Sequence, residues 1–371
     1  MNKIFEKGGK LYWLHSTVDA FETFLAVPPT VTKKGAHVRD AIDLKRIIIL
    51  ALIAVIPAAL FGMWNVGYQH GLAIGDPRIN IIGNWWFGFL RVLPIYVVAY
   101  IVGLAIEFGT AQIRGEEVNE GFLMTGFLIP LIIPVTTPLW MVGLATAFSV
   151  IFCKEVFGGT GMNIWNPALI ARAFLFFSYP NQMSGSDCWI AMRKGETMLD
   201  ACTGATPLAL DGASAQYGTG FWNMFIGTVP GCVGETSTLC ILLGAILLIW
   251  TGVASWKIMA GSVAGALLIG GIGQAAGITD IPFYMQLLYG GFAFGTVFMA
   301  TDPVTSCQTE CGKWIYGLLI GMLCVIVRLF NPGYAEGMML AILLMNTFAP
   351  LIDHVVVTTH INRRNKKLNA A

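Results

Sequence analysis

The chain has 371 residues, of which 56% are hydrophobic and 12% charged, with a mean hydropathy of +0.70 and a formal net charge of +1. A soluble globule needs about a quarter of its residues charged, so the composition excludes one and specifies a polytopic membrane protein. A balance this close to neutral gives no reason to expect a nucleic-acid partner.

The N-terminal stretch Met1-Asn2-Lys3-Ile4-Phe5-Glu6-Lys7 lacks an apolar core followed by small residues, so no cleavable signal peptide is expected and the first spanning helix directs insertion. Residues 1–45 read as a cytoplasmic segment. A spanning helix needs roughly 20 apolar residues, and about ten such stretches follow, at 46–64, 86–108, 121–134, 137–157, 164–179, 221–250, 256–276, 283–300, 313–330 and 334–357. The third is short and carries Pro130 and Pro134; the sixth is interrupted at Pro230-Gly231-Cys232-Val233-Gly234. Broken helices persist at membrane depth only where protein or a polar cavity covers the freed backbone.

Orientation follows from the 22 basic residues, since Lys and Arg concentrate on the cytoplasmic side. Eight lie in the first 46 residues and four in the tail; Arg114, Lys154, Lys257 and Lys313 join them if both termini are cytoplasmic. Only Arg78, Arg193 and Lys194 then fall outside, and Arg91, Arg172 and Arg328 lie in helices or at their ends. Ten spans divide into two five-helix repeats, and an odd number per repeat inverts the second. The expected fold is an all-α polytopic membrane protein with a first repeat over 46–180, an outer loop over 181–220, a second repeat over 221–357 and a basic cytoplasmic tail over 358–371. Asn166-Pro167-Ala168-Leu169 and Asn331-Pro332-Gly333-Tyr334 echo each other at the openings of helices five and ten, either as a repeat signature or as ordinary loop-to-helix junctions.

Carboxylates in apolar surroundings cost about 2.5–3.5 kcal/mol each on insertion scales. Glu107, Glu120, Glu155, Glu235, Asp302, Glu336 and Asp353 all sit at helix ends or depths. They suffice for a cation path, Na⁺ preferring hard oxygen ligands, or they serve as caps and as partners of Arg172 or Arg328. Glu235 and Glu107, bordered by long apolar runs, are the hardest to read as filler. The eight cysteines contain no Cys-x-x-Cys pair, and Cys307 with Cys311 alone has helical spacing; buried thiols are the default over a metal site. No histidine pair has ligand or triad spacing, which disfavours hydrolytic and haem chemistry, and His354 reads as a helix-end cap. The link Gly158-Gly159-Thr160-Gly161-Met162-Asn163-Ile164-Trp165-Asn166-Pro167 matches no dinucleotide fingerprint. Its glycines and its two amides, Asn163 and Asn166, suit either a flat ring edge or a tight inter-helix turn.

The longest polar stretch between apolar segments contains Asp200-Ala201-Cys202-Thr203-Gly204-Ala205-Thr206. Taken with the segments around it, this string makes the chain resemble the family of B-type subunits of Na⁺-translocating NADH:quinone oxidoreductases from about Val31 to Arg364. The segments that carry the resemblance include Val31-Thr32-Lys33-Lys34, His37-Val38-Arg39-Asp40, Asp43-Leu44-Lys45-Arg46, Val118-Asn119-Glu120-Gly121-Phe122 and Lys154-Glu155-Val156-Phe157-Gly158-Gly159-Thr160-Gly161. Ala173-Phe174-Leu175-Phe176-Phe177, Gly291-Phe292-Ala293-Phe294-Gly295, Met299-Ala300-Thr301-Asp302-Pro303-Val304 and Asp353-His354-Val355-Val356-Val357 complete the set. The sister family holds the D-type subunits of the Rnf ferredoxin:NAD oxidoreductase. Thr-Gly-Ala-Thr followed by Pro207-Leu208 is reminiscent of it, whereas the basic N-terminal segment and the Asp-His-Val-Val-Val string favour the B type.

The resemblance implies that Thr206 carries FMN through a phosphoester installed by a flavin transferase, with Asp200, Thr203, Gly204 and Ala205 filling the family's attachment signal. It also implies a non-covalent riboflavin, assigned to Asn163 and Asn166, and a quinone site near the inner end of helix two at Gly103, Leu104 and Glu107. Family members often have Gly-Gly where this chain has Gly103-Leu104. Glu107 and Asp353 match family positions associated with Na⁺ uptake; Glu235 and Asp302 extend the path. Electrons would pass from FMN through riboflavin to quinone, coupled to Na⁺ export, in a bacterial inner-membrane complex of about six subunits. A flavin-bearing C-type subunit and an NADH-oxidising F-type subunit would be partners, because this chain has no nicotinamide site and is not active alone. An Rnf member of the D type and a non-redox channel or transporter with inverted repeats are the competing readings.

Overall fold

The computed structural model describes residues 44–75, 80–115, 121–185, 188–193, 195–196, 198–199, 204–208, 220–279, 281–331 and 336–370, together with 18, 32 and 34–36. Among the described residues every regular element is helical. Asp200, Thr203 and Glu120, and most of the N-terminal segment, lie outside them.

The first half opens with two long helices, α1 (Leu44–Ala73) and α2 (Ile81–Arg114). Asn80 starts α2 by accepting from the Gly83 amide, and Gly115, at φ 68°, ends it; glycine tolerates that left-handed conformation. The short α3 (Phe122–Ile132) has 11 residues, about 16 Å of helix, or half the hydrocarbon thickness. Non-helical chain completes the crossing through Pro134-Val135-Thr136-Thr137 to α4 (Leu139–Ser149), which runs on through a π-turn, Val150–Glu155. α5 (Pro167–Ser178) starts with proline at its first turn and Asn166 as its cap, and the four-residue α6 (Pro180–Met183) follows.

The second half begins with α7 (Phe221–Ile226), and a break over 227–237 separates it from α8 (Thr238–Trp250). α9 (Trp256–Ala275) follows. The expected span over 283–300 is not one helix: a 3₁₀ turn (Phe283–Leu287), a three-residue α10 (Phe292–Phe294) and a π-turn (Gly295–Met299) replace it. The cause is Tyr289-Gly290-Gly291, where Gly290 takes φ 55° and the Gly291 amide donates to Glu336 at 3.1 Å, outside any helical ladder. α11 (Glu310–Phe330) and α12 (Met338–Ala370) complete the fold. α12 continues to residue 370, past the expected end at 357, since neither Gly nor Pro follows Pro350. Asp353 and His354 are therefore inside a helix, and the basic tail is its last turns.

Five helices, α1, α2, α9, α11 and α12, are long and apolar enough to cross a membrane, and the protein is a multi-pass membrane protein. Two opposite faces are defined by the ends of α1, the Leu44 face and the Ala73 face. The chain reaches the Leu44 face at the end of α2, where Glu107 meets Lys154, and the Ala73 face at 188–199, where the Leu199 amide donates to the Ala73 carbonyl at 3.0 Å. In each half a short helical piece is followed by a Pro-Val-Thr turn, Pro134-Val135-Thr136 and Pro303-Val304-Thr305. Small residues set the close contacts between helices: a Cβ on Gly321 of α11 would lie 2.0 Å from the Ser262 carbonyl oxygen of α9, and one on Gly265 2.2 Å from that of Leu318. Such approach replaces the hydrophobic driving force that lipid removes.

Candidate functional site

The break in the second half is covered by the first. At α3's end the Leu131 carbonyl accepts from the Gly234 amide at 2.8 Å, and the Ile132 carbonyl accepts from the Cys232 thiol at 3.2 Å. Asn65 of α1 donates to the Val229 carbonyl at 2.8 Å. Backbone groups freed on one side are thus satisfied by the other, as a low-dielectric interior demands.

Beside this junction, at the Ala73 face, lies a cavity of about 580 Å³. Thr206 is in its wall with Pro207 and Leu208; Trp189, Met224 and Leu288 add apolar surface, and Glu235, Glu336 and Arg328 add charge. Behind the wall Arg172, on α5 and 4% exposed, ion-pairs with both Glu235 and Glu336. One first-half arginine therefore ties the 227–237 break to the entry of α12, and Glu336 extends the tie to the Gly291 amide. Sequence alone offers Arg172 or Arg328 as partners of these acids; the fold gives both to Arg172. Arg328 instead donates to the Gln286 and Tyr289 carbonyls at 2.6 and 2.7 Å and stacks over Phe292. Its Nε and the Thr236 hydroxyl, both in this wall, have no hydrogen-bond partner among the described residues.

The loop leading to Thr206 is fastened to the first half. His70 and Glu196 meet at 2.7 Å, Arg91 donates to the Met192 carbonyl at 2.9 Å, and Thr136 to that of Cys188 at 2.8 Å. The hydrogen bond from His70 holds the Glu196 carboxyl below the usual carboxylate range, aided by the Arg193 amide.

A smaller cavity, about 140 Å³, opens at the Leu44 face. Ile47, Ile48, Met124, Leu128 and Leu248 make it mostly apolar, and Lys154, Asn163, Asn166 and Asp302 form its polar end. Asn166 caps α5 through its oxygen, accepting from Ala168 and Leu169, and reaches Asp302 at 3.4 Å through its nitrogen. Asp302 also accepts from the Val304 amide and the Thr305 hydroxyl, both at 3.1 Å. Asn163 donates to the Trp165 carbonyl at 3.0 Å. The positive φ angles of Gly158, Gly159 and Gly161 let the link turn back toward this cavity.

The remaining candidates are dispersed. Glu107 is buried in an ion pair with Lys154, while Arg114 holds Glu155. Gly103 and Leu104 line neither cavity; a Cβ at Gly103 would fall 1.8 Å from the Phe122 ring, so this glycine makes room for packing. Asp353 accepts from the Gln308 and Thr309 amides at 2.7 and 3.0 Å and from the Thr309 hydroxyl at 2.5 Å, which holds in place Thr309, the residue that caps α11. Glu235 joins Thr206 at the large cavity, Asp302 joins Asn163 and Asn166 at the small one, and Gly204 and Ala205 are buried beside Thr206. From Ala51, in the wall of the small cavity, to Asn65, bonded to the wall of the large one, is 14 residues of α1, about 21 Å.

Residues 31–362 match the family described as NQR2, RnfD, RnfE. Similar relatives are named as the B-type subunit of the Na(+)-translocating NADH-quinone reductase. That of Chromohalobacter salexigens is 46% identical, covering 98% of this chain and 94% of the relative. Those of Stutzerimonas stutzeri and Azotobacter vinelandii are each 44% identical, covering 97% of this chain and 96% of the relative.

Proposed function

The chain belongs to the NQR2, RnfD, RnfE family, and from that premise we propose that it carries electrons across the membrane from a flavin on Thr206. It is a membrane subunit of the Na⁺-translocating NADH-quinone reductase, as end-to-end similarity to relatives of that name supports. The same similarity favours the B type over an Rnf member of the D type and over a passive channel.

The observation that carries the flavin reading is Thr206 in the wall of a 580 Å³ cavity, within the roughly 300–1,000 Å³ typical of small-molecule sites. The residues there fit FMN esterified to Thr206. Trp189, Met224 and Leu288 supply apolar surface for a ring, and the orphaned Arg328 Nε and Thr236 hydroxyl supply polar groups that a ligand would satisfy. Bound there, a flavin would supply one-electron transfer, while Arg172 holds Glu235 and Glu336 in place. A phosphoester link leaves the redox ring unmodified and keeps the cofactor from leaving an open cavity.

The small cavity does not by itself fit riboflavin, since 140 Å³ is less than half of the roughly 300 Å³ at the lower end for such sites. Asn163 and Asn166 act there on backbone groups and Asp302. Quinone would be reduced, and Na⁺ movement coupled to it, toward the Leu44 face. Glu107, Glu235, Asp302 and Asp353 remain the carboxylates of the sodium reading, and Na⁺ would have to compete with Lys154 for Glu107 and with Arg172 for Glu235. In that assignment the Leu44 face is cytoplasmic, the flavin-bearing C-type and NADH-oxidising F-type subunits act as electron partners, and a flavin transferase loads Thr206.

The test is a denatured gel band fluorescent under ultraviolet light, combined with the mass of the tryptic peptide between Lys194 and Lys257. Wild type should fluoresce and carry the added mass of FMN less water; Thr206→Val should do neither. An unmodified Thr206 in cells that contain the transferase would overturn the reading.

A further inference from the structure

The last turns of α12 are not used by either cavity, and their position in the fold is unusual. At the Leu44 face the membrane boundary is marked by Trp256 and Trp314, in edge-to-face contact at 5.6 Å, and by Lys257 and Lys313, which both pair with Glu310; aromatic and basic belts sit at this level. Asp353 lies at the same level, because it accepts from the Gln308 and Thr309 amides. From there α12 continues 17 residues to Ala370, about 25 Å further. The polar headgroup layer is only about 6 Å deep on each side, so the helix stands well into the aqueous compartment. Every residue from Val357 to Asn369 is exposed.

The exposed turns are two-faced. Val357, Ile361 and Leu368, exposed by 46%, 52% and 75%, fall within about 40° of one another at 100° per residue. Arg363, Arg364, Lys366 and Lys367 occupy the adjoining sector of about 160°. Residues 354–371 contain no Asp or Glu, and among the described residues none of these four cations has an acidic partner. The four cations stand about 15–21 Å beyond Asp353, outside the headgroup layer, which makes lipid a poor partner for them.

The geometry points to the 357–369 turns of α12 as a docking helix for an acidic, apolar-floored groove on a peripheral subunit of the same complex. The apolar stripe fills the groove, as amphipathic helices do, and the basic sector meets its acidic rim. The inference rests on the reading of this chain as a subunit of a larger assembly.

The experiment uses the whole complex, purified from membranes. The variant Arg363→Glu/Arg364→Glu/Lys366→Glu/Lys367→Glu is compared with wild type for retained subunits as salt is raised, with the Thr206-dependent fluorescent band showing that the chain is inserted and loaded. Loss of one peripheral subunit, with about tenfold weaker retention and the fluorescent band unchanged, supports the docking helix. Unchanged retention of all subunits overturns it. A photoreactive residue at Ile361 gives a second measurement that does not depend on the variant folding. Cross-linking to a peripheral subunit of the complex supports the proposal; cross-linking to residues 1–43 of this chain, to lipid, or to nothing overturns it. Absence of the fluorescent band from wild type would instead count against the flavin reading alone.

Discussion

The cavities at the two faces differ in size and in how their charges are held. At the Ala73 face one arginine is shared between two carboxylates from different elements, and about 580 Å³ stays open beside them. At the Leu44 face one lysine meets one carboxylate, the amides cap backbone, and about 140 Å³ remains. The difference comes from the side chains at each face. Arg172 reaches across to the second half and fixes a broken, non-helical wall, whereas Lys154 stays within the first half and closes a turn. A wall made of a break leaves volume; a wall made of capped helix ends fills it.

The largest effect should come from Arg172→Met, which removes a buried cation, strands two half-buried carboxylates and should cost about 5 kcal/mol, the upper end for breaking a buried ion pair. Thermal unfolding of the detergent-solubilised complex should show a large loss, with Arg172→Met/Glu235→Gln/Glu336→Gln recovering much of it. If the single and triple variants are equally unstable, the arginine matters for packing and the contrast in charge between the faces fails. Lys154→Met strands only Glu107 and should cost about 3 kcal/mol. Lys154→Met/Glu107→Leu, an apolar pair of similar volume, should return close to wild type.

Smaller still is Asn166→Ala, which removes the cap of α5 and one bond to Asp302, a loss of about 1 kcal/mol. Hydrogen exchange should rise at Ala168 and Leu169 while the loop carrying Thr206 is unaffected; a change in that loop would show that the two faces are coupled. The smallest effect concerns Glu196. Its carboxyl is held below the usual range, so its contribution is present above the ordinary carboxylate value near 4.5 and is lost as pH falls through the lowered one. Protection of the 188–199 amides relative to their intrinsic exchange rates should therefore fall on acidification below that value in wild type, and Glu196→Gln should remove this pH dependence of protection. An unchanged profile in the variant would assign the effect to another group.

Much of the architecture was legible because membrane composition is restrictive. The apolar stretches, the Pro230–Gly234 interruption and the short third span follow from hydrocarbon thickness and from the cost of unsatisfied backbone, and α3, α7 and α8 bear them out. The stretch over 283–300 misled because apolarity reports burial in either state, and Gly290 with the Gly291–Glu336 bond turns it into pieces. α12 runs on beyond the span expected to end at 357 for the complementary reason: polarity stops a membrane span without stopping a helix. Around the site, Thr206 stood out through its motif and Arg172, Arg328 and Glu336 as charges at the depths or ends of apolar segments, but which of them pair did not. A lone arginine in an apolar helix announces that it needs acids without saying which, and here two of them arrive from 63 and 164 residues away.

The sequence by itself therefore determined that this chain lives in a membrane, that its third and sixth spans are broken and which family it belongs to, because these depend on local composition and contiguous motifs. Only the tertiary structure decided which carboxylate each cation holds, that Asn166 serves as a cap and Asp353 holds the cap residue Thr309, and that Thr206 opens onto the larger cavity. Those outcomes depend on contacts between distant segments, and a buried charge takes whichever opposite charge the packing brings within reach.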